Sequence, residues 1–482
     1  MAAGLRCALS RPEPAEVLAI YTSLLSRERL CALMCQSGQR LYWRTLTPLV
    51  MLWGMLYQRL HHDHTCDAAL SYLRSGAVDG LDAQDQHVRP LSQRLRSEST
   101  AAYVQGRNRL PLALVQAASQ WVAHQTLRWW QEPSQAVANL SWHGRAVRVL
   151  DGTTFRMRPH GDLAQTYGQA HNGAGCSYWV VAKSLVSFCL YTQAYIGYAE
   201  GSQQASEPGL FRQVVQQDPA AQSIYIADQG LGVYRVAQVA RHYGHDVVLR
   251  LEQRVAKRLL RLAGGPPLQS SQERTLLWQP APTVVVEPDW PLEPIPGRLL
   301  YFCVEPAGFR PFDVYLFTTL ADSLSYSLAD IGALYGLRWR GELDLRHIKT
   351  VMQMEEFTVQ SAALFRKELA VGLLAYNLVC ALMTQAALQS GVCPAQLSFS
   401  RCLRRIEVFL CYGMPTWVSA QSNPLTYLLS ELAGCRLPDQ PQKAHHEPRR
   451  VRRRQSTYPP LQGNRNAARQ QWLEEMASCL DS

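Results

Sequence analysis

An α/β fold flanked by helical regions is what this 482-residue sequence predicts, on three observations. From about residue 145 short β-rich runs alternate with helical patterns, the mark of helices layered on a sheet. The stretches on either side, 1–130 and 361–482, instead carry apolar residues mainly at helical spacing. A hydrophobic content of 47% against 18% charged residues supplies enough apolar surface for a large core and two to four domains or sub-domains.

In the first stretch, "PAEVLAIYTSLL", "TLTPLVMLWGMLYQRL", "CDAALSYLRSG" and "LPLALVQAASQWVAHQTLRWW" read as helices separated by Gly, Pro and Asp. The apolar run through Trp53 breaks at Pro48 and Arg59, too short for a bilayer span, and reads as a core helix. "HHDH" (His61, His62, Asp63, His64) looks like a metal cluster. Adjacent histidines on a helix diverge by ~100°, so it reads as a loop before the helix opening at Cys66.

Next, "RAVRVLDGTTF" alternates Val147 and Val149 before Asp151. "SYWVVAKSLVSFCLYTQAYIGY" offers two more strands, "SIYIADQG" a short one ending at Asp228, and "DVVLRL" another. Helical patterns, "ASEPGLFRQVVQQ" and "LGVYRVAQVARHYG", lie between them. Residues 252–313, rich in proline and in strand patterns ("TVVVEPDW", "GRLLYFCVE", "PFDVYLFTT"), read as an inserted β region. Beyond the helix carrying Glu342, "FRKELAVGLLAYNLVCALMTQAAL" is a long apolar helix, followed by "FSRCLRRIEVFL". The tail places Arg449, Arg450, Arg452, Arg453 and Arg454 together, a run that is solvated or clamps phosphates.

A net charge of +10 and a pI near 9.0 favour a polyanionic partner, nucleic acid first. Thirteen cysteines with no CxxC pair indicate neither a zinc site nor a disulfide framework, which fits a reducing cytoplasm. The first residues, "MAAGLRCALSRPEP", lack the long apolar segment of a signal peptide.

The chemistry concentrates in "YGLRWRGELDLRHIK", residues 335–349. On an ideal helix Tyr335, Arg338, Glu342 and Lys349 fall within an arc of about 60°, with Arg346 in the same stripe and Asp344 on roughly the opposite side. Such a run is commonly a solvated, salt-bridged face, and the segment alone does not decide. Asp151 and Asp228, however, each end a strand before a glycine-containing turn, so both could project from one sheet edge toward Glu342. Three convergent carboxylates suit Mg²⁺ or Mn²⁺. Two such ions ~4 Å apart can activate water or a 3′-hydroxyl for in-line displacement, the chemistry of nucleases and strand transfer.

"DGTT" at Asp151, "ADQG" at Asp228 and the Tyr335, Arg338, Glu342, Lys349 spacing resemble the signature of DDE insertion-sequence transposases of the YREK type. "LFTTL", "FRKELAVGLLAYNLVCALM", "LTPLVMLWGMLYQRLHHDHTC" and "YVQGRNRLP" are similar to this family too, so the resemblance spans nearly the whole chain. It implies an RNase H-like core with a β-rich insertion, acting as a homodimer on double-stranded DNA at terminal inverted repeats and target. By that resemblance Asp151, Asp228 and Glu342 are catalytic metal ligands, while Tyr335, Arg338 and Lys349 contact phosphates. Arg346 joins that DNA-facing stripe, and Thr153 either bonds DNA or caps its turn. Gln229 stands where many relatives have arginine. Trp278 and Trp290 are candidates to stack a flipped base, against an ordinary core role.

The implied layout is a helical DNA-binding domain at 1–130, an RNase H-like core at 131–251 and 314–360, the insertion at 252–313, and a helical region with a basic tail at 361–482. The expected activity is cut-and-paste transposition in the cytoplasm, on the nucleoid when bound to DNA, without a membrane. A catalytically silent DNA binder and a nuclease without strand transfer are the alternatives.

Overall fold

The computed structural model describes residues 19–35, 44–82, 89–131, 141–172, 175–282, 284, 290–305, 311–412, 423–438 and 463–480. By internal packing the chain divides into two units, 1–303 with 313–439, and 304–312 with 440–482.

The first unit opens with α1 (Ala19–Leu24), α2 (Arg27–Cys35), α3 (Pro48–Leu60), α4 (Cys66–Arg74), α5 (Leu91–Arg94), α6 (Ala101–Arg109) and α7 (Leu112–Gln131). Thr47 starts α3 by accepting a hydrogen bond from the Val50 amide at 3.3 Å, and Pro48 fits the first turn, where its missing N–H costs nothing. Every residue of α3 except Arg59 is buried. The "HHDH" segment is the turn between α3 and α4, as its spacing predicts.

The sheet region runs β1 (Val147–Met157), α8 (Leu163–Tyr167), β2 (Gln169–Asn172), β3 (Gly175–Cys189), β4 (Tyr195–Gly201), α9 (Glu207–Val215), β5 (Ile224–Ala227), α10 (Tyr234–His242), β6 (Asp246–Leu251), α11 (Gln253–Ala263), β7 (Gln272–Trp278), β8 (Ile295–Val304) and β9 (Phe312–Thr318). The strand order is β2-β3-β1-β5-β6-β9-β8-β7, with β4 also paired to β3. β1, β5 and β6 are parallel neighbours, and β9 joins β6 antiparallel. The centre is covered on both faces, which explains why "IYIA" of β5 is wholly buried. Tyr225 and Ala227 pack with Phe211 and Val236 of α9 and α10. Ile224 and Ile226 pack with Leu127 of α7 and Ile331 beyond the sheet. Arg148, buried within β1, is satisfied by a two-pronged bond to Asp218, both contacts at 2.9 Å.

After β9 come α12 (Leu328–Gly336), α13 (Trp339–Arg346), a π-helical turn (His347–Val351), β10 (Glu356–Phe357), α14 (Ala362–Gln389), α15 (Phe399–Tyr412) and α16 (Pro424–Ala433). α14 is long and apolar enough to cross a membrane, yet 94% of its most apolar window is buried in protein. It packs on α3, α7, α15 and α16. In the second unit the described residues include a helix, α17 (Arg465–Leu480).

Three sequence expectations need correction. Asp151 does not end its strand: β1 continues to Met157, paired throughout with β3. The region 252–313 opens with a helix, α11, whose Ala256 and Leu259 are buried while Arg254, Lys257 and Arg261 face solvent. Its strands β7 to β9 also extend the central sheet. Most of "TVVVEPDW" and the arginine run 449–454 lie outside the described residues.

Candidate active site

The site is a notch in the sheet. β5 pairs with β1 only through Val149↔Ile226, and β10 takes up the same edge at Arg156↔Glu356. Between these points β1 has no strand neighbour on that side among the described residues, and Asp151 and Thr153 stand in the gap. Asp228 follows directly on the last residue of β5. The parallel pairing of β1 with β5 thus brings Asp151, in mid-strand, beside Asp228, just past the end of β5, from positions far apart in sequence. Asp151 Oδ1 accepts from the Gly152 amide at 2.9 Å, and Asp228 Oδ1 accepts from the Gly230 and Leu231 amides at 3.0 and 3.3 Å.

Glu342 arrives on α13, which crosses β1 at Gly341. A Cβ there would meet Val149 Cγ1 at 2.6 Å, and it would lie 3.8 Å from Asp151 Cβ. Only glycine lets the helix come this close. Gly341→Ala must lift α13 off β1, since Val149 is fully buried and stiff at χ1. A displacement near 1 Å is expected to slow any reaction that these acids catalyse ~100-fold, as rate assays on the variant and wild type would show.

The electrostatics follow from the same convergence. Burial pushes the Asp151 carboxyl up to about 6; the neighbouring Asp228 and Glu342 charges add to this, and Arg338 opposes it. Arg338 donates to Glu342 Oε1 at 2.5 Å. Burial also raises the Tyr335 phenol, while Arg338 and Arg250 favour its ionised form. Tyr335, Arg338, Glu342, Asp151 and Asp228 therefore share one neighbourhood. This holds although the segment is not one ideal helix, since the chain turns at Leu337–Arg338 between α12 and α13.

Arg346 and Lys349 are placed differently. Lys349 lies in the π-helical turn, which breaks the 100° spacing on which its position in the stripe rests. Among the described residues neither side chain forms an ion pair, and no contact ties either to the three acids. Asp344 faces the opposite way, as read: it is 3% exposed, 3.7 Å from His347 Nδ1. Thr153 is half-buried in the notch, opposite Ser184 of β3. Trp278 and Trp290 are both buried, against Phe317 and His242 respectively. Gln229 is exposed.

A fourth carboxylate that sequence reading passed over lies here. Glu207 is the first residue of α9, whose N-cap Ser206 accepts from the Gly209 amide at 3.2 Å. "SEPG" reads only as a helix start, because the contact that matters is made across the sheet. Burial and Asp228 raise the Glu207 carboxyl, and Lys183 opposes them.

The donor set fits a hard divalent cation: three carboxylates share an open edge within electrostatic reach of one another, the oxygen-rich surroundings that Mg²⁺ or Mn²⁺ prefers. Residues 142–378 match the family described as Transposase DDE domain. Transposase InsG for insertion sequence element IS4 of Escherichia coli (strain K12) is 27% identical over 369 residues, covering 72% of this chain and 78% of that one. A cryo-EM structure of a piggyBac transposase synaptic complex with hairpin DNA covers 89% of this chain and 86% of that one, at 11% identity and a TM-score of 0.42, a likeness too distant to argue from.

The sheet, the notch and this family match define a DDE transposase, a metal-dependent enzyme acting on DNA. Within that class the chain is similar to the transposase of insertion sequence element IS4.

Proposed function

We propose that this chain is a cut-and-paste transposase that binds the terminal inverted repeats of its element, cleaves the ends and joins their 3′-hydroxyls to target DNA. The observation carrying the reading is the convergence of Asp151, Asp228 and Glu342 in a notch whose rim holds Arg338 and Tyr335. The resemblance to insertion-sequence transposases supports an RNase H-like core, a homodimer on DNA, and an end-binding role for the helical residues before β1.

Asp151, Asp228 and Glu342 would hold Mg²⁺ or Mn²⁺, two ions by analogy with the chemistry. When bound, these ions activate water or a 3′-hydroxyl and stabilise the leaving 3′-oxygen. The chain's own groups position the DNA. Arg338 is directed at the carboxylate cluster and can exchange Glu342 for a phosphate oxygen, gaining a charge-assisted bond. Tyr335 offers a hydroxyl beside it. Lys349, Arg346 and Thr153 complete the proposed backbone contacts.

The test is incubation of the purified protein with a labelled duplex carrying the ends of its own element, with Mg²⁺, Mn²⁺ or EDTA. Cleavage and joined products are expected with either metal and neither with EDTA. Cleavage without joining would leave a nuclease, and tight binding without cleavage a silent DNA binder.

A further inference from the structure

Glu207 and Asp228 approach each other around Gly230: its Cβ, if it had one, would lie 3.4 Å from Asp228 Oδ1 and 3.7 Å from Glu207 Oε2. The same carboxylate fills the space beside the first aspartate, since a Cβ on Gly152 would fall 2.5 Å from Glu207 Oε1. Two glycines, Gly152 next to Asp151 and Gly230 two residues after Asp228, thus leave open the volume that Glu207 enters. The approach comes from the other side of the sheet. Along β1, Asp151 and Val149 face α13 and Glu342, while Gly152 faces α9 and Glu207. Asp228 follows the end of β5, and its charge acts on both Asp151 and Glu207.

Drawing one more acid to this edge works against folding, because like charges in a half-buried site repel, and among the described residues it is Lys183 that opposes the charge of Glu207. Glu207 is half-buried at a helix start where the dipole favours an acid and Ser206 already supplies the cap, but neither role requires its carboxylate to reach toward the aspartates.

From this geometry we infer that Glu207 is a fourth carboxylate of the cation site, bearing on the ion held by Asp228 from the face of the sheet opposite Glu342. The inference rests on the assignment of Asp151, Asp228 and Glu342 as the metal-binding acids. Glu207 adds negative charge and an oxygen donor where hard cations gain most from both. It raises cation affinity and leaves the DNA contacts of Arg338 and Tyr335 untouched.

The experiment is a Mn²⁺ titration of the full chain without DNA, followed by electron paramagnetic resonance, on wild type, Glu207→Gln and Asp228→Asn. Glu207→Gln is expected to weaken Mn²⁺ binding roughly tenfold, the lower end of the range for groups supporting a metal site. The Mg²⁺ concentration for half-maximal cleavage should rise by a similar factor, with the rate at saturating Mg²⁺ largely restored. Thermal unfolding in EDTA should move to equal or higher temperature, because a repulsion is removed, and end binding in EDTA should be unchanged. A merely structural glutamate would instead give a lower unfolding temperature with wild-type Mn²⁺ affinity, and that result overturns the inference. Unchanged affinity in Glu207→Gln with a loss in Asp228→Asn overturns the role of Glu207 alone. Unchanged affinity in both overturns the three-acid assignment beneath it. Should Glu207→Gln not accumulate as folded protein, Glu207→Ala gives the same comparison.

Discussion

Glu342→Gln is expected to lower metal-dependent DNA cleavage by at least ~10³-fold, a barrier increase of about 4 kcal/mol, while end binding in EDTA stays within about twofold of wild type. The asymmetry follows from the position of Glu342. Its carboxylate is exposed at the end of a pair with Arg338, so glutamine keeps the shape and a hydrogen bond but removes the charge that a divalent cation needs. Neutralising one of several clustered acids also relieves repulsion, so the variant should unfold at a temperature equal to or above that of wild type. Loss of cleavage with retained stability and retained binding identifies a metal ligand. Loss of all three identifies a residue that holds α13 in place, and normal cleavage would sink the three-acid assignment outright.

Much of this site was legible because its chemistry is written in short-range pattern. Alternating Val147 and Val149 before Asp151, and an apolar run before Asp228, place both acids on adjacent strands of one sheet, Asp228 at a strand end, and the Tyr335, Arg338, Glu342 spacing places three groups on one surface. What the pattern could not carry was pairing. Whether β1 stops at Asp151 depends on β3, which extends it to Met157, and on β10, which arrives from residue 356. The notch comes from the partners that β1 lacks, and no periodicity encodes that. Lys349 shows the converse failure. An angular argument assumes a regular helix, and a π-helical turn from His347 to Val351 removes the assumption. Glu207 was invisible for the same reason as the notch, since its contacts run through the sheet. α11 was legible and missed, because the prolines downstream of it drew the whole segment into a β reading.

The second large effect concerns the layer of helices behind the sheet. Glu368 on α14 is 3% exposed and bridges two guanidiniums, Arg59 of α3 at 2.6 Å and Arg107 of α6. The next residue back, Lys367, donates to the carbonyls of Arg107 and Asn108, each at 2.9 Å. Burial alone would raise the Glu368 carboxyl, but the two arginines outweigh it and hold it below the usual range. Glu368→Ala leaves two nearly buried cations without their counter-charge, and a destabilisation of about 3–5 kcal/mol is expected. The sign of the pH dependence follows from the lowered value. The carboxylate's contribution is fully present above the unfolded value, ~4.3, and is lost as pH falls through the folded one. Wild type should therefore lose stability on acidification in that window, while Glu368→Ala loses little further there, as read from urea unfolding followed by tryptophan fluorescence. Glu368→Gln separates charge from hydrogen bonding: if it costs as much as alanine, the ion pair holds α3 and α6 to α14, and if it costs little, the hydrogen bonds suffice. Because α14 also packs on α7, which covers the face of β5 beside the notch, loss of this clamp should lower cleavage and stability together, unlike the active-site variants.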